Sequence, residues 1–287
     1  MEEKKEERKK VTAPMLTEMK QKGQKITMIT CYDYPFAVMV DAAGIDIVLV
    51  GDSLGMTMLG YETTLPVTMD MMIHHAKAVR RGLEYPLLIG DMPFMAYQAS
   101  VEEAVRNAGR FMKEAECDAI KLEGGAPVIP QVKAIVQSGI PMMGHLGLTP
   151  QSIFAFGGFK AQGRSALAAK KIIDDALALE DAGAFAVLLE CVPIKVSEII
   201  TKRLSVPTIS IGAGVACDGQ CLIFHDMFTM FPRFTPKFVK KYGNVYEVVV
   251  GGLKQYVEDV HQQTFPEEQH GFKIPDAEFQ QFLDLLK

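Results

Sequence analysis

The sequence predicts an α/β protein, a (β/α)8 TIM barrel in a single domain. Three observations predict it. Eight short apolar runs recur along the chain, and most are followed by a helical pattern. They spread over about 250 of the 287 residues, the length such a barrel needs. Several runs also end alike, on an ionisable side chain placed where a parallel strand delivers residues to a site. An open, doubly wound sheet is the alternative. It usually needs fewer strands, and no GxGxxG opens the first helix.

In chain order, a short amphipathic helix over 12–20 precedes the first strand, ITMITCYD (26–33), which leads into a helix over 35–43. IDIVLVGD (45–52) is the second strand. It is followed by Gly55, Gly60 and a Tyr-Glu-Thr-Thr loop, and then by a helix over 69–81. YPLLIGDMP (85–93) is the third, and the next helix starts at Ser100, where Ser100 and Glu103 have the spacing of a capping box. DAIKLEGG (118–125), GIPMMGHLG (139–147), AFAVLLECVP (184–193), VPTISIGAG (206–214) and QCLIFHD (220–226) complete the eight. The glycine-rich stretch 149–164, TPQSIFAFGGFKAQGR, is too long for a simple connection and lies on the site face, as a lid or partner contact would. The expected domain plan is a charged, disordered tail over 1–11, a barrel over 12–270, and an extension over 271–287 ending in a short helix.

Bulk properties narrow the class. A hydrophobic content of 48% and a charged content of 23% suit a large globular core. A net charge of −5 gives no basic surface for nucleic acid. The opening MEEKKEERKK is charged in both signs, with no apolar stretch of the signal-peptide kind behind it. No run approaches the ~18 apolar residues of a membrane span. Five cysteines, an odd number, fit reduced thiols, so a cytoplasmic protein is expected.

The strand ends carry the chemistry. Asp52 and Ser53 close the second strand and Asp91 the third; the fourth carries Lys121 and Glu123, the fifth His145 and the sixth Glu190. Side chains two apart share a face, so Lys121 and Glu123 point the same way. Four carboxylates converging with one lysine and one histidine would repel one another unless a cation intervened. Hard oxygen donors without thiolates or a His-x-x-x-His pair favour Mg²⁺ over zinc. Taken singly, each acid could merely cap the next helix; three on consecutive strands (Asp52, Asp91, Glu123) argue for a site. Glu190 follows an apolar strand, where burial raises a carboxyl into the range of a useful base. Lys121 could be a Schiff-base nucleophile or a cation for a substrate carboxylate, and a neighbouring metal favours the second. His145 is either a buried hydrogen-bonding residue or a substrate contact. Cys217, Cys221 and His225 lack zinc spacing and read as core. IGAG (211–214) is a tight turn as readily as a phosphate site. His74 and His75 read as surface or packing residues, and Met69, Met71 and Met72 as helix packing.

The strings VGDSLGM (50–56), TLPVTMD (64–70), DMPFMAY (91–97), KLEGG (121–125), GHLGLTPQS (144–152), GGFKAQGR (157–164), LLECVP (188–193) and DGQCLIFHD (218–226) resemble the ketopantoate hydroxymethyltransferase family. The resemblance runs from about 12 to about 270, in order and without large gaps. It implies a (β/α)8 barrel, a homodecamer and Mg²⁺. The implied reaction moves a hydroxymethyl group from 5,10-methylenetetrahydrofolate to 3-methyl-2-oxobutanoate through a metal-stabilised enolate, giving 2-dehydropantoate for pantothenate and coenzyme A. It implies Asp52 and Asp91 as Mg²⁺ ligands that also meet substrate, and Glu123 as a further metal ligand. Ser53 and Lys121 would hold the substrate carboxylate, and Glu190 would accept the proton. The competing readings are an Mg²⁺-dependent 2-oxo acid lyase of the isocitrate lyase or phosphoenolpyruvate mutase type, and a non-catalytic barrel.

Overall fold

The computed structural model describes residues 8–231 and 235–287. Eight parallel strands close into a barrel in sequence order: β1 (Ile26–Thr30), β2 (Ile47–Val50), β3 (Leu87–Asp91), β4 (Ala119–Glu123), β5 (Met142–Gly147), β6 (Ala186–Glu190), β7 (Thr208–Ile211) and β8 (Gly219–Leu222). β8 pairs with β1 from Ile26↔Gly219 to Ile29↔Leu222, so no edge remains.

Strand alternation sorts the apolar residues into two cores. Ile47 and Leu49, Leu87 and Ile89, Ala119, Met143, Ala186 and Leu188 fill the barrel interior. Their neighbours Val48 and Val50, Leu88, Ile120 and Leu122, Met142, Val187 and Leu189 face outward, against the helices. On β3, β4, β5 and β6 the interior phase continues into Asp91, Lys121, Glu123, His145 and Glu190. The ionisable groups are therefore the top layer of an otherwise apolar column. Val11 and Leu16, the latter on helix Ala13–Gln21, join the interior core with Ile26 at the amino end.

The helices expected at 12–20, 35–43 and 69–81 are found at Ala13–Gln21, Tyr34–Ala42 and Met69–Arg80. Ser100 caps helix Val101–Glu114 by accepting the Glu103 N–H. Met72 is fully buried, and Met69 and Met71 pack beside it. Gly90 must be glycine for space: a Cβ there would lie 2.2 Å from the Phe111 ring.

Two expectations change. Residues 8–11 are not a free tail: the Arg8 guanidinium bonds the carbonyls of Asp41 and Ile45, Lys10 pairs with Asp118 at 2.6 Å, and Val11 is buried. The first seven residues of that expected tail lie outside the described residues. The last strand stops at Leu222, and Phe224–Met227 forms a short helix instead. Helix Val245–His261 carries no buried residue. The terminal helix is present at Asp276–Leu285, again with nothing buried. Periodicity marks an apolar helix face but cannot say whether that face is covered within the same chain.

Candidate active site

The seven residues singled out in the sequence, Asp52, Ser53, Asp91, Lys121, Glu123, His145 and Glu190, line one cavity of about 570 Å³ at the carboxyl ends of the strands. Register brings them together: Asp91 lies beside Lys121, Glu123 beside His145, and Gly147 beside Glu190.

Lys121 is the hub. Its Nζ is 2.7 Å from Asp91 Oδ1 and 3.3 Å from His145 Nδ1. Burial alone would lower its pKa, but Asp91, Glu123 and Asp52 outweigh that and hold the ammonium above the ordinary lysine value. An ammonium has only protons to give, so His145 Nδ1 must accept. Burial, together with Lys121, lowers the His145 pKa and keeps the ring neutral. Its Nε2 lies 3.2 Å from Glu190 Oε2. His145 therefore stands between two carboxylates, with Nδ1 also 3.4 Å from Glu123 Oε1.

The carboxylates divide by environment. Burial raises the Asp52 pKa well above the ordinary aspartate value, with Asp91 and Glu123 adding to it. Burial likewise raises Glu123 and Glu190; His145 opposes the rise at Glu190 without cancelling it. Asp91 Oδ2 accepts the Asp52 backbone N–H at 3.1 Å, which joins the ends of β2 and β3. Ser53 Oγ is 2.8 Å from the Tyr32 hydroxyl.

Two residues that sequence reasoning passed over complete this layer. Gln151 is buried on the 149–164 loop. Its Nε2 donates to Asp52 Oδ2 (3.0 Å) and to the Met92 carbonyl (2.9 Å), and its backbone N–H donates to Glu123 Oε2 (3.0 Å). The buried Tyr97 hydroxyl is 2.7 Å from Gln151 Oε1 and accepts the Glu123 N–H at 3.1 Å. Both residues lie inside strings that flagged the family, but no local pattern marks an amide whose partners are 28 to 99 positions away. Replacing Gln151 by Leu leaves Asp52 Oδ2 and the Met92 carbonyl without their donor. The expected destabilisation is about 1–3 kcal/mol, read by denaturant unfolding. Unchanged stability would show that this network carries no weight.

The long loop sits over the cavity, with Phe159, Lys160 and Ala161 in its lining. Its Gln162 N–H bonds the carbonyl of Cys191, which stands next to Glu190 with φ at +49°. A left-handed cysteine there is a strained conformation that the surroundings must impose. Gly147 has φ at +94°, and a Cβ on it would come within 2.2 Å of the Glu190 carbonyl, so only glycine lets β5 and β6 meet at the base of the site. Cys217, Cys221 and His225 are buried as expected of core residues, and all five cysteines are free thiols. His75 Nδ1 contacts the Tyr32 carbonyl at 2.7 Å, a packing role. Among the described residues no helix is long and apolar enough to cross a membrane.

A closed parallel barrel whose interior turns from apolar to ionisable at the strand carboxyl ends is built as a barrel enzyme. The comparisons specify which. A family model described as ketopantoate hydroxymethyltransferase matches residues 10–268. A protein of Clostridium botulinum (strain Langeland / NCTC 10281 / Type F) is 57% identical, over 92% of this chain and 96% of its own. One of Syntrophus aciditrophicus (strain SB) is 55% identical, over 92% of this chain and 97% of its own. Both are named 3-methyl-2-oxobutanoate hydroxymethyltransferase. Solved structures of phosphonopyruvate hydrolase (TM-score 0.59, 13% identity, 96% of this chain and 95% of that one) and 2,3-dimethylmalate lyase (0.57, 13%, 90% and 87%) share the fold. The chain belongs to the ketopantoate hydroxymethyltransferase family and is a transferase.

Proposed function

We propose that this enzyme transfers a hydroxymethyl group from 5,10-methylenetetrahydrofolate to 3-methyl-2-oxobutanoate, giving 2-dehydropantoate for pantothenate and coenzyme A synthesis, with Mg²⁺ bound. The observation that carries this reading, beside the family match, is one cavity in which a charged lysine, a neutral histidine and four carboxylates meet. The donor set fits Mg²⁺. No cluster of three His, Cys, Asp or Glu groups forms a metal cage among the described residues. Mg²⁺ does not need one, because one or two carboxylates with waters and substrate oxygens suffice. Asp52 and Asp91 would supply that pair, and a divalent cation would offset the burial, and the added repulsion from Asp91 and Glu123, that raise the Asp52 pKa. Glu123 would serve as a further ligand. Bound there, Mg²⁺ would supply Lewis acidity toward the 2-oxo group.

The residues of the chain would do the rest. Lys121, held charged, suits a substrate carboxylate and not a Schiff base, which needs a free amine. Ser53 would share that carboxylate. Glu190 would accept the C3 proton, with His145 Nε2 beside its oxygen. Water would hydrolyse the methylene bridge, breaking both of its C–N bonds so that the two folate nitrogens take the protons and tetrahydrofolate leaves. The water oxygen stays on the one-carbon unit as a formaldehyde carbonyl. The C3 carbanion would add to that carbon, and the resulting alkoxide would take up a proton to give the hydroxymethyl group. The free thiols support a cytoplasmic setting.

A homodecamer is proposed as well. Support comes from helices Val245–His261 and Asp276–Leu285, whose apolar side chains, among them Leu253, Tyr256, Phe279 and Phe282, stand exposed as an interface would.

The test is C3 proton exchange of 3-methyl-2-oxobutanoate in deuterated water, followed by NMR with and without Mg²⁺, and then with methylenetetrahydrofolate added. Mg²⁺-dependent exchange followed by folate-dependent product is the expected result. Turnover of a 2-oxo acid without folate would replace the reading by a lyase, and absence of exchange under every condition would leave a barrel without this chemistry.

A further inference from the structure

The cavity is larger than the acid it is proposed to hold. About 570 Å³ falls within the ~300–1,000 Å³ of sites for drug-sized ligands, and 3-methyl-2-oxobutanoate has only eight non-hydrogen atoms. The ionisable layer takes up the floor; the rest of the wall is of another kind. Tyr61, Phe159 and Phe238 give it aromatic surface, and Asp226, from the short helix after β8, is set into it. Asp226 is half-buried, and its carboxylate has no hydrogen bond or ion pair among the described residues. Burial pushes its pKa up to about 6. A carboxylate desolvated without a partner calls for a donor from a ligand. Lys160 on the long loop and Lys237 also line the cavity, and neither pairs with an acid among the described residues.

We propose that this outer half is the pteridine subsite, in which Asp226 accepts the paired N–H donors of the 2-amino-4-oxopteridine edge and Lys160 and Lys237 meet the glutamate carboxylates of the folate tail. The inference rests on the folate-dependent reading above and assigns residues to it. The chemistry matches piece by piece. Two parallel N–H donors on a planar ring are the complement of a carboxylate's two oxygens, and the flat ring suits the aromatic wall. The anionic tail suits two cations at the rim. Glu62 also lines the cavity, but it is exposed, so water already satisfies it.

The experiment titrates 5-formyltetrahydrofolate, and separately the tetrahydropteroate fragment that lacks glutamate, into the full-length protein by calorimetry. The wild type is compared with Asp226→Asn, Asp226→Ser, Glu62→Gln and a Lys160→Gln/Lys237→Gln double variant. Both Asp226 variants should bind either ligand at least tenfold more weakly, and Glu62→Gln should match the wild type. The double lysine variant should lose affinity for the glutamate-bearing ligand alone. Since the Asp226 side chain has no partner within the described chain, melting temperatures should stay near wild type, and Asp226→Ser keeps the test open if Asp226→Asn does not fold. Wild-type affinity in both Asp226 variants would overturn the proposal while leaving the folate reading intact. A wild type that binds neither ligand and forms no product from methylenetetrahydrofolate would instead remove the folate reading itself.

Discussion

Glu190→Gln is expected to bind 3-methyl-2-oxobutanoate but to exchange its C3 proton in deuterated water about 10²–10⁴-fold more slowly than wild type, the usual share of a general base. Glutamine keeps the shape of the side chain beside His145 Nε2, 3.2 Å away in the wild type. What it loses is the capacity to take a proton. The pH profile offers a second reading of the same role. Burial holds the Glu190 pKa above the ordinary glutamate value, and a base works only when ionised. Exchange should therefore rise with pH through that raised pKa and fall away below it, and Glu190→Gln should lack this limb. Exchange at the wild-type rate in the variant would remove Glu190 from the role of base.

Asp52→Ala should lose activity and Mg²⁺ dependence together. Even residues that only support metal ligands cost about 10–100-fold in metal affinity when removed, so a direct ligand should cost at least that much. Mn²⁺ titration followed by electron paramagnetic resonance reads the affinity without turnover. The alanine also releases Gln151 Nε2 from Asp52 Oδ2. It relieves the crowding in which burial, then Asp91 and Glu123, penalise the ionised Asp52. Stability without metal should therefore fall less than activity does. A fully active Asp52→Ala enzyme with unchanged Mg²⁺ dependence would refute the assignment.

Much of the site was legible because a strand has a period of two. Once Ala119 is placed inward, Lys121 and Glu123 must follow, and the same phase carries Leu87 and Ile89 to Asp91, and Ala186 and Leu188 to Glu190. Eight such runs of suitable length leave few topologies, and the parallel barrel with its site at the carboxyl ends is the one found. Where local signals were weak, so was the reading. QCLIFHD is apolar enough for a long strand, yet only Gly219–Leu222 finds partners, because Ile26–Ile29 of β1 is the stretch it pairs with. The charges of 1–10 suggest solvent, but Arg8 and Lys10 find acceptors at Asp41, Ile45 and Asp118, which only the folded chain brings near.

By itself, then, the sequence determined the strand count, the shared face of Lys121 and Glu123, and the ionisable residues at the ends of the second to sixth strands, since these depend on neighbours one to four positions away. Its family strings added the reaction class. The tertiary structure alone decided which groups meet: Lys121 beside His145 and His145 beside Glu190, the buried amide of Gln151 between Asp52 and Glu123, and the Asp226 carboxylate in the wall of the same cavity. Those contacts join residues tens of positions apart, and it is closure of the barrel, not any local preference, that brings them within hydrogen-bond distance.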